Sequence, residues 1–330
     1  LRFLLFAMIY FYLASTNKKF IEYQIKVLGL TLCILIGDSF LQLLMGKNIL
    51  GFEMVTAYVM RPTSFFFNDL KIGSFLSKFS LLLTALCFYK DKYIKYSLIV
   101  LLLSWALIFF SGERTSFILF SLSIIFITFI FYKSIKFKDI KIFIIIFTFV
   151  MTIVTYKTTQ NTRYIDKMII NPLKELTIIK SDEKFLPAHR KHFFISYEIF
   201  KNNILIGAGP NTFRYECNKI IKNNKNIIDG CSTHPHNMYI QLLSEAGIFS
   251  LLIALYFYSR LILIFFKLIL NPLVNSNNNK FKAYIVVNTI LLISFFPLSP
   301  TGNIFNNWNS INILFALGFF LKLRHSIKDI

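Results

Sequence analysis

Acidic residues are scarce in this chain: 16 Asp and Glu stand against 36 Lys and Arg, and all charged residues together make up only 16%. A soluble domain carries roughly a quarter. Glycine (12) and proline (8) are few beside 39 Phe, and there are only four Cys in 330 residues. The alternation of apolar and polar residues that marks half-buried surface elements is mostly missing as well. These absences exclude a soluble globular domain, a disordered chain and a disulfide-stapled miniprotein. What is there is 55% hydrophobic residues, gathered in long runs. That pattern describes a polytopic membrane protein.

A bilayer core takes about 20 apolar residues per helix. Nine runs qualify, the first of them partial: 1–14, 25–45, 73–90, 96–111, 115–132, 142–156, 238–259, 283–299 and 309–323. The shorter ones need polar flanks that reach to the interface. Lys and Arg concentrate in 15–26, 90–96, 133–141, 259–282 and 322–330, which alternate with 46–72, 112–114, 157–235 and 300–308. Basic residues in short loops mark the cytoplasmic side, so the first set is assigned there and the C-terminus with it. Segment 157–235 holds 13 Lys and Arg of its own, but long loops translocate largely regardless of charge. Residue 1 then starts on the outer side, and an odd number of further helices is expected before it.

The expected organisation is therefore transmembrane helices over 1–156, a periplasmic loop or cap over 157–235, and C-terminal transmembrane helices over 236–330. A loop so long is either functional or disordered. Its apolar, periodic stretch His192–Phe200 favours a small folded cap with one or two short helices. The net charge of +20 comes without zinc-ligand spacing or a groove-reading basic helix, so no nucleic-acid partner is expected.

The outer-facing polar residues form a set that packing alone does not explain. Arg61 lies just outside the second span, Arg114 in the turn Ser111-Gly112-Glu113-Arg114, and Arg190 after His189 in the large loop. Arginine is planar, permanently charged and suited to bidentate capture of phosphate. Three at one membrane face make a receptor for an anionic, lipid-borne headgroup; the plainer alternative is that each snorkels to lipid phosphates.

Thr233-His234-Pro235-His236-Asn237-Met238-Tyr239 leads into the seventh span, with Glu245 further in. His236 is placed to act as a general base, or is an ordinary polar residue where a helix starts. Glu245 follows nine residues later, two and a half turns on, and points away from it. No carboxylate or third histidine stands at ligand spacing, so no metal is expected. His189 and His192 could share a helix face, but a solvated loop is the preferred reading.

Asp38 and Gln42 share one face of the second span, where an ionisable residue is a functional candidate by default. The alternatives are that Asp38 reaches water or pairs with an Arg, and that Glu113 is a local partner of Arg114. Gly207–Thr212 looks faintly like a dinucleotide fingerprint, but it lacks the third glycine and contains Pro210. It reads instead as a backbone turn close to the membrane. Cys33 and Cys87 lie in spans as small apolar residues. Cys217 and Cys231 lie in the outer loop, where an oxidising compartment would pair them.

Five strings, in order, carry a resemblance. They are Asp38-x-x-x-Gln42-x-x-x-Gly46 with Gly51-Phe52; Arg61-x-x-Ser64-Phe65-Phe66-x-Asn68-Asp69-x-x-x-Gly73-Ser74; and Ser111-Gly112-Glu113-Arg114-Thr115. Then come Arg190 with Gly207-Ala208-Gly209-Pro210-Asn211-Thr212-Phe213, and His234-Pro235-His236-Asn237-x-Tyr239-x-Gln241-Leu242-x-x-Glu245-x-Gly247. The set is similar to the O-antigen ligase and O-antigen polymerase superfamily of bacterial membrane glycosyltransferases. It departs from the common pattern at Phe65, where glycine is frequent, and at Glu113 before Arg114.

The resemblance implies an all-α polytopic fold of about twelve spans in the bacterial inner membrane, with one large periplasmic loop and the active site facing the periplasm. Nine spans here and three before Leu1 would fit it. It also implies a glycan donor on undecaprenyl pyrophosphate and inverting transfer with neither metal nor cofactor. By position, Arg61, Arg114 and Arg190 would hold the pyrophosphate and His236 would deprotonate the acceptor hydroxyl. His234, Asn237 and Glu245 would shape the substrate site. The acceptor would be the lipid A core in a ligase, another glycan in a polymerase, or a protein hydroxyl in an oligosaccharyltransferase, and the ligase is preferred. Two readings from other classes are a lipid-glycan transporter, which the absence of charged pairs in the central spans disfavours, and a non-catalytic membrane scaffold.

Overall fold

A computed structural model describes residues 2–57, 59–131, 163–170, 188–223, 231–271 and 278–328. The expected span 142–156 lies outside the described residues, as does much of the loop that follows it. The chain divides into two compact units: Leu1–Thr177 with Phe265–Ile293 and Leu314–Ile330, and Ile178–Ile264 with Ser294–Ile313.

The helices, in chain order, are α1 (Arg2–Thr16), α2 (Phe20–Met45), α3 (Ile72–Lys90), α4 (Ile94–Ser111), α5 (Arg114–Phe131), α6 (Ala188–Asn202), α7 (Phe213–Asn223), α8 (Met238–Leu270), α9 (Asn279–Ser294) and α10 (Asn307–Lys328). The described strands, β1 (Val55–Ala57) and β2 (Val59–Arg61), pair antiparallel with Val55 opposite Arg61. Among the described residues, short helical turns also stand at Ser64–Phe66 and Arg163–Ile170.

Four helices among the described residues are long and apolar enough to cross a membrane: α2, α3, α4 and α8. Leu4–Thr16 and Arg114–Phe129 are apolar but shorter. The chain is thus a helical, multi-pass membrane protein. The expected span 283–299 takes a different form, while 309–323 lies inside helix α10. Helix α9 stops at Ser294, before Pro297, a residue that cannot continue a helix. Helix α10 begins with Asn307-Trp308-Asn309-Ser310 and carries Lys322, Arg324 and Lys328, which leaves little apolar length between its polar ends. Helix α8 instead runs on past Arg260 to Leu270, because Leu261–Leu270 is again mostly apolar.

In the first unit α3 packs against α4, and α2 lies on both. Helices α3 and α4 are buried almost all round, with Leu76, Leu81, Leu86, Leu107, Ile108 and Phe110 in the core. Basic segments assigned to one side of the membrane do meet at one end of these helices. Lys90 and Lys92 each lie 3.6 Å from the Glu22 carboxylate, Lys90 donates to the Lys18 carbonyl at 2.9 Å, and Asn279 donates to Asp91 at 2.7 Å.

In the second unit α6 and α7 close on a small core of Ile195, Ile199, Phe213 and Cys217, with Ala208, Ile220 and Ile221 against it. Cys217 and Cys231 are joined in a disulfide, with Cα atoms 5.7 Å apart. Helix α8 breaks at Gly247, whose φ is +77°. A side chain there would meet the Leu205 carbonyl oxygen at 2.1 Å. The turn 203–209 is laced to this kink by Ile248 N–H to Ile204 O (2.9 Å), Ala208 N–H to Ser244 O (3.0 Å) and Gly209 N–H to Glu245 O (2.9 Å). The Gly207–Gly209 stretch is a backbone turn, as expected, and what it approaches is helix α8.

Candidate functional site

The first group of expected site residues is held up by helix α2. Asp38 and Gln42 stand one turn apart on its buried face. The Gln42 side-chain oxygen accepts from the backbone N–H of Thr63 (2.9 Å) and Ser64 (2.8 Å), and its amide donates to the Phe52 carbonyl at 3.1 Å. Asp38 accepts from the Ile49 N–H at 2.9 Å and from the Ser64 hydroxyl. Asn48 adds a bond from its amide to the Ser64 carbonyl at 3.1 Å. Contrary to the alternatives weighed for it, Asp38 neither reaches water nor serves an arginine through these bonds. It shapes the segment that carries Arg61, because an intramembrane carboxylate needs donors and backbone N–H groups are the nearest ones.

Arg61 is 8% exposed, and its Nε donates to the Ser111 carbonyl. Burial pushes its guanidinium down from the ordinary value, while the charges of Glu113 and Tyr164 act to raise it. Arginine remains charged under such a shift. Tyr164 packs edge-on against Phe110 with ring centroids 5.5 Å apart and donates its hydroxyl proton to the Met60 carbonyl. Its phenol is pushed up to about 12 by burial.

Glu113 does more than serve as a local partner of Arg114. Its two oxygens accept from the backbone N–H of Gly73 (2.6 Å) and Ser74 (2.8 Å), and the Ser116 hydroxyl donates to it at 3.3 Å. It thereby caps the start of α3 from the turn between α4 and α5, where the unpaired N–H groups and the positive end of the dipole favour a carboxylate. Burial raises its carboxyl above the usual range, opposed by these N–H bonds and by Arg61. Gly73 is required by the approach: a Cβ there would lie 2.6 Å from the Ser111 hydroxyl and 2.8 Å from Glu113 Oε1. Arg114 opens helix α5 and is partly buried.

The second group gathers where α8 begins. Asn237 caps the helix, its side-chain oxygen accepting from Tyr239 N–H (3.0 Å) and Ile240 N–H (3.1 Å). Its amide donates to the Pro297 carbonyl at 2.7 Å. His236, just before the cap, has φ +57°, a left-handed conformation that non-glycine residues adopt seldom and that clusters at functional sites. Its carbonyl accepts from Thr301 N–H at 2.9 Å.

Three histidines stand together here. The His234 and His236 rings are 4.3 Å apart between centroids, and those of His192 and His236 are 5.3 Å apart. His234 Nε2 faces the Thr301 carbonyl at 3.2 Å, and Nδ1 faces the Thr233 hydroxyl at 2.9 Å. A carbonyl only accepts, so Nε2 carries the proton and Nδ1 accepts from threonine. Burial lowers the His234 imidazole from its ordinary value, and the nearby His192 acts in the same direction. His234 is therefore a neutral, oriented ring beside His236.

His192 was expected in a solvated loop. It is 7% exposed, because α6 is amphipathic and turns His192, Ile195, Ser196 and Ile199 inward on one face. Its spacing of three from His189 was the available signal. The backbone of Arg190 lies in the first turn of α6, but its side chain is outside the described residues. Among the described residues, no group of three or more His, Cys, Asp or Glu is arranged to hold a metal ion.

Glu245 is fully buried below this cluster and is not a partner of His236 in any bond described. Its oxygens accept from Phe213 N–H (2.8 Å), Asn211 N–H (3.2 Å) and the Gln241 amide (2.8 Å). Gln241 also donates to Asn303 at 2.8 Å and accepts from Ile304 N–H at 3.1 Å. Asn303 reaches Asn211 at 2.7 Å. One buried network thus ties the turn after α6, the start of α8 and the stretch before α10.

Residues 99–255 match the family model described as O-antigen ligase. The resemblance carried by the motifs is met on this stretch, which takes in Arg114, Arg190, His192, His234, His236, Asn237 and Glu245. The O-antigen ligase match begins in α4, so Arg61 precedes it. Neither the curated proteins nor the solved structures give a match.

Proposed function

We propose that this O-antigen ligase-type protein is a glycosyltransferase of the bacterial inner membrane. It moves a glycan from undecaprenyl pyrophosphate to an acceptor hydroxyl, that of the lipid A core, at the periplasmic face. The observation that carries the reading is the His234–His236–Asn237 constellation within the O-antigen ligase match. A polymerase or a protein O-oligosaccharyltransferase uses the same donor and the same base. The difference lies in the acceptor.

In this reading His236 takes the proton of the acceptor hydroxyl as its oxygen attacks the anomeric carbon. The bond from that carbon to the pyrophosphate oxygen breaks, the configuration inverts, and undecaprenyl pyrophosphate departs with the electron pair. His236 then returns the proton to water. General-base help of this kind contributes typically about 10²–10⁴-fold. Arg61, Arg114 and Arg190 offset the charge developing on the leaving group, the main electrostatic task in the reaction. Fixed guanidiniums perform it without a divalent cation. Asn237 and neutral His234 hold the base in place, and Glu245 holds the helix that Asn237 caps.

The test is transfer by purified His236→Ala with lipid-linked glycan and acceptor. Transfer is expected to vanish while the variant inserts at the wild-type level; near-normal turnover would refute the assignment. In a strain deleted for the gene, long undecaprenyl-pyrophosphate-linked chains are expected to accumulate. Single repeat units would mark a polymerase instead, and no change in either pool would remove the enzymatic reading.

A further inference from the structure

The turn between α6 and α7 carries three consecutive large apolar residues on its surface. Ile204 is 52% exposed, Leu205 61% and Ile206 82%. The turn is not slack: its backbone is bonded to Ser244, Glu245 and Ile248 of α8, and it fits against Gly247 with no room for a side chain. A rigid, strongly apolar tip of this kind is costly in water.

Its neighbour says what covers it. Directly past the kink, α8 turns Phe249, Leu252, Ile253 and Tyr256 outward, between 53% and 69% exposed. Almost none of the apolar window of α8 is buried in protein, so this face meets lipid. From Ile248 to Leu270 the helix rises about 34 Å at 1.5 Å per residue, which matches a hydrocarbon core of about 30 Å. Gly247 then falls at the edge of that core. The Ile204–Ile206 tip, bonded to Ile248, continues the same lipid-facing surface. Polar residues bound it on both sides, with Lys201, Asn202 and Asn203 before it and Asn211 and Thr212 after it.

We infer that Ile204–Ile206 is a membrane-inserted turn, seated among the acyl chains of the leaflet that α8 enters. It anchors α6 and α7 to the bilayer surface at a fixed height. Of the backbone groups flanking the tip, the Ile204 carbonyl and the N–H groups of Gly207, Ala208 and Gly209 are bonded within the protein, as insertion into lipid favours.

The experiment places a nitroxide spin label at Ile206→Cys, in a chain with Cys33→Ser and Cys87→Ser and the Cys217–Cys231 disulfide intact. The protein is reconstituted in phosphatidylcholine vesicles containing some phosphatidylglycerol. Lys219→Cys on α7, an exposed site, is the aqueous control. Ile206 makes little contact with the protein, so its replacement leaves the fold unharmed. Collisions with oxygen, which concentrates in lipid, are expected to exceed those with a water-soluble nickel chelate several-fold at position 206, and to fall below them at 219. A label at 206 as open to nickel as that at 219 would overturn the proposal. So would a label shielded from both, which would mean that protein, such as a second copy of this chain, covers the tip. Neither result depends on glycosyl transfer.

Discussion

Replacing Glu245 by glutamine and by alanine separates a residue that holds the fold from one that touches substrate. The carboxylate accepts three bonds, at 2.8, 3.2 and 2.8 Å, and is fully buried. Glutamine keeps one oxygen. Placed where Oε2 stands, it still accepts from Asn211 and Gln241, and its NH₂ then faces the Phe213 N–H, donor against donor. One bond to a charged acceptor is lost and one buried N–H is orphaned, at a cost of about 2–3 kcal/mol. Alanine loses all three bonds and leaves three donors unpaired. Sharing within the network keeps the total below the sum, at about 4–6 kcal/mol. At roughly 2–4 °C of melting midpoint per kcal/mol, glutamine is expected to cost about 5–10 °C and alanine about twice that. The assay is thermal loss of the monodisperse peak in detergent, read beside transfer activity at a temperature where each variant is folded. Glutamine should retain most of the turnover. A wild-type midpoint for the alanine variant, or a glutamine variant that melts normally and cannot transfer, would refute the reasoning.

Gly247→Ala should lower the same midpoint by several degrees, since the new methyl lies 2.1 Å from the Leu205 carbonyl and φ is +77°; the left-handed strain alone costs about 1–2 kcal/mol. An unchanged midpoint would mean that turn and kink do not touch. Replacing Cys217 and Cys231 together by serine removes a closure worth about 3 kcal/mol, and limited proteolysis should then cut between α6 and Cys231 sooner than in the parent; equal cutting rates would contradict this. For His234 the lowered folded value fixes the sign. Its contribution to stability is whole above the ordinary value of about 6.5 and is lost as the pH falls toward the folded value. Melting midpoints should therefore drop more between about pH 7.5 and 5.5 in the parent than in His234→Asn, and parallel curves would exclude it.

The membrane helices α2, α3 and α4 were legible because their apolar runs are long and uninterrupted, and a residue's neighbours along the chain are enough to see that. The end of α9 was not, since hydropathy counts Phe295 and Phe296 as apolar while Pro297 stops the helix. His234, His236 and Asn237 stood out through their concentration at the start of a span. His192 did not: the period of α6 puts it on the face of Ile195 and Ile199, but its contacts with Phe213 and His236 come from segments distant in the chain. The role of Glu113 is set at the same kind of distance. Its bonds reach 40 and 39 residues back to Gly73 and Ser74, whereas the sequence offers it only the adjacent Arg114. Asp38 announced itself as an intramembrane charge, and that much was sound; what it does is position Ser64 and Ile49 rather than meet a cation.

The network around Glu245 also sets a timetable for biogenesis. Its three parts leave the ribosome in the order Asn211, then Gln241 and Glu245, then Asn303 and Ile304. When α8 first enters the translocon, the Gln241 side chain still lacks Asn303 and the Ile304 N–H. The span must therefore wait, with its polar side chains turned to water or to the insertion machinery, until more than fifty further residues have been made.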